Sequence, residues 1–158
     1  MALPASGFTV IELVITVALV AILSTIALPL AEVTMQRARE QELRSALRQM
    51  REAIDAYKQA ADEGRVAKSA IEPGYPKSLE SLAAGVENLT DLKKAKIYFL
   101  RRVPRDPMAS DSALAPAQTW GTRSYKSPLD DPKPGDDVYD VYSLSAGVGL
   151  NGIRYRDW

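Results

Sequence analysis

From Leu13 to Ala31 the chain carries no charged residue, a stretch that overlaps the run Phe8-Thr-Val-Ile-Glu-Leu-Val-Ile-Thr-Val-Ala-Leu-Val-Ala-Ile-Leu-Ser-Thr-Ile-Ala-Leu-Pro-Leu30. Roughly 20 apolar residues, each rising about 1.5 Å, cover the ~30 Å hydrocarbon core of a bilayer, so this block reads as a membrane-length helix. A secretory signal peptide would bring a basic n-region, a shorter apolar stretch and a small-residue cleavage site at its far end. Residues 1–7 contain no Lys or Arg, the stretch is long, and Thr25-Ile-Ala27 is a mediocre site. A plain signal anchor fits the length but leaves Glu12 without a reason. A carboxylate near the end of a lipid-facing helix costs up to about 3 kcal/mol, so Glu12 calls for a partner.

The remaining chain is long enough for a core. Of 158 residues, 46% are apolar and 25% charged, which suits one globular domain rather than a disordered segment. Twenty Lys and Arg balance twenty Asp and Glu, leaving no net basic field for a nucleic acid. The absence of His and Cys excludes zinc fingers, Fe–S clusters, Ser-His-Asp and Cys-His nucleophile systems and a disulfide framework. No enzymatic activity is expected, and no phosphate-binding loop is present.

The residues that open the apolar block narrow the choice. Ala5-Ser6-Gly7-Phe8-Thr9-Val10-Ile11-Glu12-Leu13 is a short leader ending in Gly, followed at once by Phe and an apolar run with one Glu. It resembles the prepilin signal of type IV pilins and type II secretion pseudopilins. The resemblance implies cleavage by a membrane peptidase between Gly7 and Phe8, N-methylation of Phe8, and retention of the apolar stretch in the mature protein. Glu12 stands where the family has its hallmark carboxylate. Cleavage would leave an α-ammonium at Phe8 close to Glu12, both in low dielectric, where opposite charges strongly prefer a partner. By resemblance, Glu12 of an incoming subunit neutralises the Phe8 terminus of its neighbour in a growing filament. Pro29 removes one N–H and crowds the carbonyl of Thr25, so a kink or unwound turn is expected there, with Ser24 and Thr25 available to satisfy the freed groups. Pilin-like helices carry a Pro at the same distance from the mature start. The leader departs from the family in lacking Lys and Arg, which leaves the true translation start open.

Beyond Pro29 the helix changes character. Leu43, Leu47, Met50, Ile54, Tyr57 and Ala61 recur at spacings of four, three, four, three and four, an apolar stripe with charges on the other positions. The spacing predicts a helix from about Thr9 to Ala61, its stripe packed on the chain's own sheet rather than in a coiled coil. Gly64, Pro73-Gly74, Pro76 and Gly85 mark loops around a short helix at residues 78–84, and a second helix is expected from Asp91 to about Tyr98. Asn88-Leu-Thr90 is a formal glycosylation sequon, read as chance. Strands are expected at residues 119–125, 138–144 and 153–155. The fold class is therefore α+β: a long N-terminal transmembrane and amphipathic helix packed on a small C-terminal antiparallel β-sheet, pilin-like in outline. Four segments follow: a leader at 1–7, a membrane or filament-core half-helix at 8–31, an amphipathic half at 32–63, and a globular head at 64–158.

Tyr75-Pro76, Leu79, Leu82 and Leu100-Arg-Arg-Val-Pro-Arg-Asp-Pro107 look like the corresponding segments of the G-type major pseudopilins. Gly147-Val-Gly149-Leu-Asn-Gly152 matches G-x-G-x-x-G, but the few residues after it leave no room for a dinucleotide fold, so it is read as a turn. Asp130, Asp131, Asp136, Asp137 and Asp140 offer oxygen ligands of the kind Ca2+ takes. By resemblance, major pseudopilins bind calcium in their C-terminal loops. This chain departs from that pattern, having Ser145-Ala-Gly-Val-Gly149 where the family carries an Asp, and an insertion between Pro107 and Tyr125. The alternative reading of these aspartates is a solvated turn. Charge is zoned: residues 91–106 hold six Lys or Arg against two Asp, and residues 130–140 hold five Asp against one Lys.

The expectation is a structural filament subunit, of a type IV pilus or a type II secretion pseudopilus. Its implied partners are copies of itself, the prepilin peptidase, an inner-membrane assembly platform and a separate assembly ATPase. It would sit in a bacterial inner membrane with its head in the periplasm before joining a periplasmic or extracellular filament. The alternatives are a minor or priming pilin, and a single-pass anchored binding module that does not polymerise.

Overall fold

The computed structural model describes Gly7 and residues 9–158. Helix α1 spans Val10–Asp62 and includes Pro29. It is followed by α2 (Leu79–Ala84), the strands β1 (Val86–Glu87) and β2 (Lys96–Ile97), a 3-10 turn at Pro116–Thr119, β3 (Trp120–Arg123), β4 (Asp140–Ser143) and a last 3-10 turn at Tyr155–Asp157. The α+β class expected from the sequence is what forms. The chain divides into two compact units, the first ending at Ala38 and the second spanning Arg39–Trp158.

The second unit is built on the apolar stripe of α1. Leu43, Leu47, Met50, Ile54, Tyr57 and Ala61 are all buried, with Ala46, Ala53 and Ala60 filling the positions between them. Their partners are Leu79 and Leu82 of α2, Leu100, Trp120 of β3, Val138, Val141 of β4 and Tyr155. The stripe thus faces the chain's own sheet, as its three-four spacing and mixed flanking charges predict. Burying side chains of this size stabilises by about 1.5–3 kcal/mol each, which is why a helix with few strong caps holds its place.

Strands β3 and β4 pair antiparallel, Trp120 opposite Ser143 and Arg123 opposite Asp140. The ladder continues beyond the strands, with the Tyr139 N–H donating to the Arg123 carbonyl and the Val138 N–H to the Pro76 carbonyl, 2.8 Å each. That last bond ties the Tyr75-Pro76 segment to the sheet, and the Tyr75, Tyr125 and Tyr139 rings pack with centroids 5.0–5.6 Å apart.

Four expected elements differ. Residues 91–98 are not a helix: Val86 and Glu87 pair with Ile97 and Lys96, making a hairpin. Asn88 turns the chain there, its Oδ1 accepting the N–H and hydroxyl of Thr90, and no helix starts at Asp91. The strands expected at 119–125 and 138–144 are confined to Trp120–Arg123 and Asp140–Ser143: the backbone of Pro116–Thr119 forms a 3-10 turn, on whose Pro116 carbonyl the Thr119 hydroxyl closes at 2.7 Å, and the Tyr125 N–H goes to the Asp137 carboxylate. At residues 153–155 there is only an isolated bridge, Val148 to Arg154, before the chain enters the last 3-10 turn.

The glycine motif reverses the chain, with the Gly149 N–H donating to the Ile153 carbonyl and the Gly152 N–H to that of Gly149. Its glycines also seat aromatic rings. A Cβ on Gly147 would lie 2.9 Å from the Tyr155 ring, and one on Gly149 2.4 Å from that of Trp158.

Candidate processing and assembly site

Helix α1 begins with a reciprocal cap. The Thr9 hydroxyl accepts the Glu12 N–H at 3.3 Å, while Glu12 Oε2 lies 3.5 Å from both the Thr9 nitrogen and hydroxyl. Thr9-Val-Ile-Glu12 is a capping box, T-x-x-E, and the bonds from carboxylate to Thr9 are at the long limit. A negative charge here also meets the positive end of the helix dipole. The box is a spacing signal legible in the sequence and overlooked in reading Glu12 only as a partner for a terminus. It adds Thr9 to the site and aims Glu12 back toward the residues preceding the helix. Gly7 is exposed, with no described residue within 4 Å of where a Cβ would stand. Phe8 and residues 1–6 lie outside the described residues, so the Gly7-Phe8 pair is placed only at its Gly.

From Val10 to Leu23 every residue of α1 is exposed. Among the described residues α1 is the one helix long and apolar enough to cross a membrane. Its polar side chains are satisfied internally: the hydroxyls of Thr16, Ser24 and Thr25 donate to the carbonyls of Leu13, Val20 and Ile22 at 2.7–2.9 Å. A helix apolar all round belongs in lipid or among other helices, not in water. At Pro29 the helix is unbroken, so the unwound turn is not formed. Nor do Ser24 and Thr25 reach the Thr25 carbonyl that Pro29 leaves without its donor, since both hydroxyls bond earlier carbonyls.

The five aspartates do not gather into one ligand set. Asp137 is buried and accepts the Tyr125 N–H at 2.8 Å, closing the loop between β3 and β4. Asp140 lies 2.9 Å from Arg51 and 3.6 Å from Arg123. Asp131 pairs with Lys133 at 2.7 Å, a hydrogen bond and charge that raise the Lys133 pKa. Asp130 and Asp136 stay exposed. Among the described residues no three acidic side chains converge as a metal site would require. The donor set does not fit calcium as read from the sequence, because two of the carboxylates already serve backbone and guanidinium groups of the chain itself.

The constellation that sequence reasoning missed is the seat of the last residues on α1. Glu40, buried, accepts the Leu150 N–H at 2.9 Å and the Tyr155 hydroxyl at 3.0 Å. Arg44 stacks over the Trp158 ring at 4.3 Å, and Arg51 donates to the carbonyls of Val141 and Trp158. A second buried carboxylate, Asp106, accepts the Ser143 hydroxyl at 2.6 Å and the Met108 N–H at 2.7 Å, and its own N–H donates to Thr119. It locks the Val103-Pro-Arg-Asp-Pro107 segment to β4. Contacts between residues so far apart in the chain leave no periodic trace.

Comparison with known proteins bears on the N-terminal half of this site. Residues 4–28 match the family model described as the prokaryotic N-terminal methylation motif. The chain is also 26% identical over 144 residues to the type II secretion system core protein G of Klebsiella michiganensis, covering 88% of this chain and 94% of that protein. No solved structure matches the chain. Both matches agree with the resemblance to pilins and pseudopilins carried by residues 5–13.

Proposed function

We propose that this chain is a structural subunit of a type II secretion pseudopilus, anchored in the inner membrane by α1 until it polymerises in the periplasm. The observation that carries this reading is a helix apolar on every side, opened by a capped Glu12 and a flanking Gly7, within a methylation motif and a chain-long likeness to a core pseudopilin. Processing by a prepilin peptidase would cut between Gly7 and Phe8 and methylate Phe8. No described residue requires Gly7 by packing, since none lies within 4 Å of where its side chain would stand. A protease that needs a small residue in its site supplies the reason for glycine.

Polymerisation follows from solvation. Exposing the apolar half of α1 to water would cost on the order of tens of kcal/mol, so it leaves lipid only for a core of like helices. Within that core Glu12 must not remain an unpaired charge, and the Phe8 ammonium of a neighbour is the partner that cleavage creates. Register is thereby set to the spacing at which the two charges meet. Force for extracting the subunit comes from a separate ATPase through a membrane platform. Pro29 would serve the same assembly as a point where the helix can yield.

The test is the intact mass of the protein from its native membrane, with tandem sequencing of its N-terminus. A chain beginning at methylated Phe8 is expected. An intact leader, or cleavage beyond Ala27, would overturn the reading in favour of an anchored or secreted module.

A further inference from the structure

An open groove of about 540 Å³ runs between one face of α1 and the segment that follows Leu100, within the second unit. Ala46, Val103 and Pro104 give it an apolar lining, with Glu42 on one side and Arg101 and Arg102 on the other. Neither arginine has a hydrogen bond, ion pair or ring contact among the described residues, whereas the neighbouring Arg105 is spent on the carbonyls of Asp111 and Leu114. Two unpaired guanidiniums at the edge of a half-apolar groove suit an acidic peptide with an apolar anchor.

The same chain carries such a peptide elsewhere on its surface. Ser127-Pro-Leu-Asp-Asp-Pro132 presents Leu129, 73% exposed, directly before Asp130 and Asp131. None of residues 127–136 lines the groove. The loop is also held in shape: the Lys133 N–H donates to the Ser127 hydroxyl, the Ser124 N–H to the Lys133 carbonyl, and Asp137 closes the base on Tyr125. Three prolines, Pro128, Pro132 and Pro134, stiffen it further, so docking would cost little ordering entropy.

The geometry points to a head-to-tail contact in which the Leu129-Asp130-Asp131 loop of one copy enters the Arg101-Arg102 groove of the next. Leu129 lies on the apolar lining and Asp130 faces the guanidiniums, joined by Asp131 as it exchanges its exposed ion pair with Lys133 for them. The occupant is a second copy of this chain, because opposite charge and an exposed anchor sit on two different patches of one molecule. Such a heterologous contact repeats without closing and generates a helical filament rather than a ring when the rotation does not close. The inference rests on the subunit reading and adds the surface through which neighbouring subunits engage outside the helical core.

The chain has no cysteine, so single substitutions provide unique thiols. Full-length L129C and R102C variants would be produced together in cells that assemble the filament, and the filaments oxidised. A disulfide-linked dimer is expected from the mixture and from neither variant alone, and the L129C/R102C double variant should give a ladder. R101D/R102D should lower filament yield about tenfold, with recovery on adding D130R/D131R. All five positions are exposed, so folding is not at issue. Wild-type filaments with no mixed cross-link and no rescue would overturn the contact while leaving the subunit reading intact. A dimer from L129C alone would also overturn it, as an isologous contact. No wild-type filaments and an uncleaved leader would remove both readings together.

Discussion

At the scale of single residues, small positions carry large constraints. Gly149 is buried beneath Trp158, whose ring would stand 2.4 Å from an added Cβ. That ring also packs against Arg44 and Tyr155, contacts it would have to give up to yield. Gly149→Ala is therefore expected to destabilise by about 1–3 kcal/mol. It should also shift tryptophan fluorescence to the red as Trp158 is lifted, which a thermal melt and an emission spectrum would check. Asp62, at the end of α1, accepts hydrogen bonds from Lys58 and Lys68 that hold its carboxyl below the ordinary value of 3.8. A carboxyl depressed in the folded chain stabilises it above its unfolded pKa, and that contribution is lost as pH falls through the lower folded value. Fraying of residues 62–68 should thus set in only below about pH 3.8 and be absent as a pH effect in Asp62→Asn, read by amide hydrogen exchange.

At the scale of elements, α1 is one helix with two solvents. Its first half is apolar on every side; its second is apolar only along the stripe that meets α2 and the β3-β4 sheet. Ile54→Ala removes a fully buried side chain and is expected to cost about 2–5 kcal/mol, whereas Glu52→Ala on the exposed side should stay within about 0.5 kcal/mol. Denaturant unfolding of both variants in detergent would check the contrast. The stripe was legible because a helix returns the same face to the core every three to four residues. The hairpin of β1 and β2 was not, because two-residue strands carry no usable period and Asp91 to Tyr98 has the composition of a capped helix. The β3-β4 pair is shorter than its alternating pattern suggests, since residues 116–119 wind into a 3-10 turn and Tyr125 gives its N–H to the Asp137 carboxylate instead of a ladder partner.

At the scale of the whole molecule, the polymer reading makes Glu12 dispensable for folding and necessary for assembly. Glu12 is exposed and contributes only a loose cap to α1, so Glu12→Ala should leave membrane insertion and the melt of the second unit unchanged. Filaments should be lost, because an unpaired Phe8 ammonium buried among apolar helices costs several kcal/mol per subunit. Electron microscopy of sheared material beside a membrane-fraction blot separates assembly from insertion. Unchanged filaments in this variant would argue against charge pairing in the core.

The membrane-length helix, its Gly7-Phe8 junction, Glu12 and the core face of the second unit follow from the order of residues, because each is a local pattern: a run of apolar residues, a motif, a spacing. The use of the aspartates was decided by tertiary structure. Asp137 is consumed by a backbone N–H twelve residues away and Asp140 by an arginine on α1, so a cluster in sequence is not a cluster in space. The seats of Glu40, Asp106 and Trp158 belong to the same class, since each has a partner (Tyr155, Ser143 and Arg51) that lies 115, 37 and 107 residues distant and comes within hydrogen-bond reach only in the folded backbone. Local pattern records which face must be buried; which polar group meets which is settled only when the burying is done.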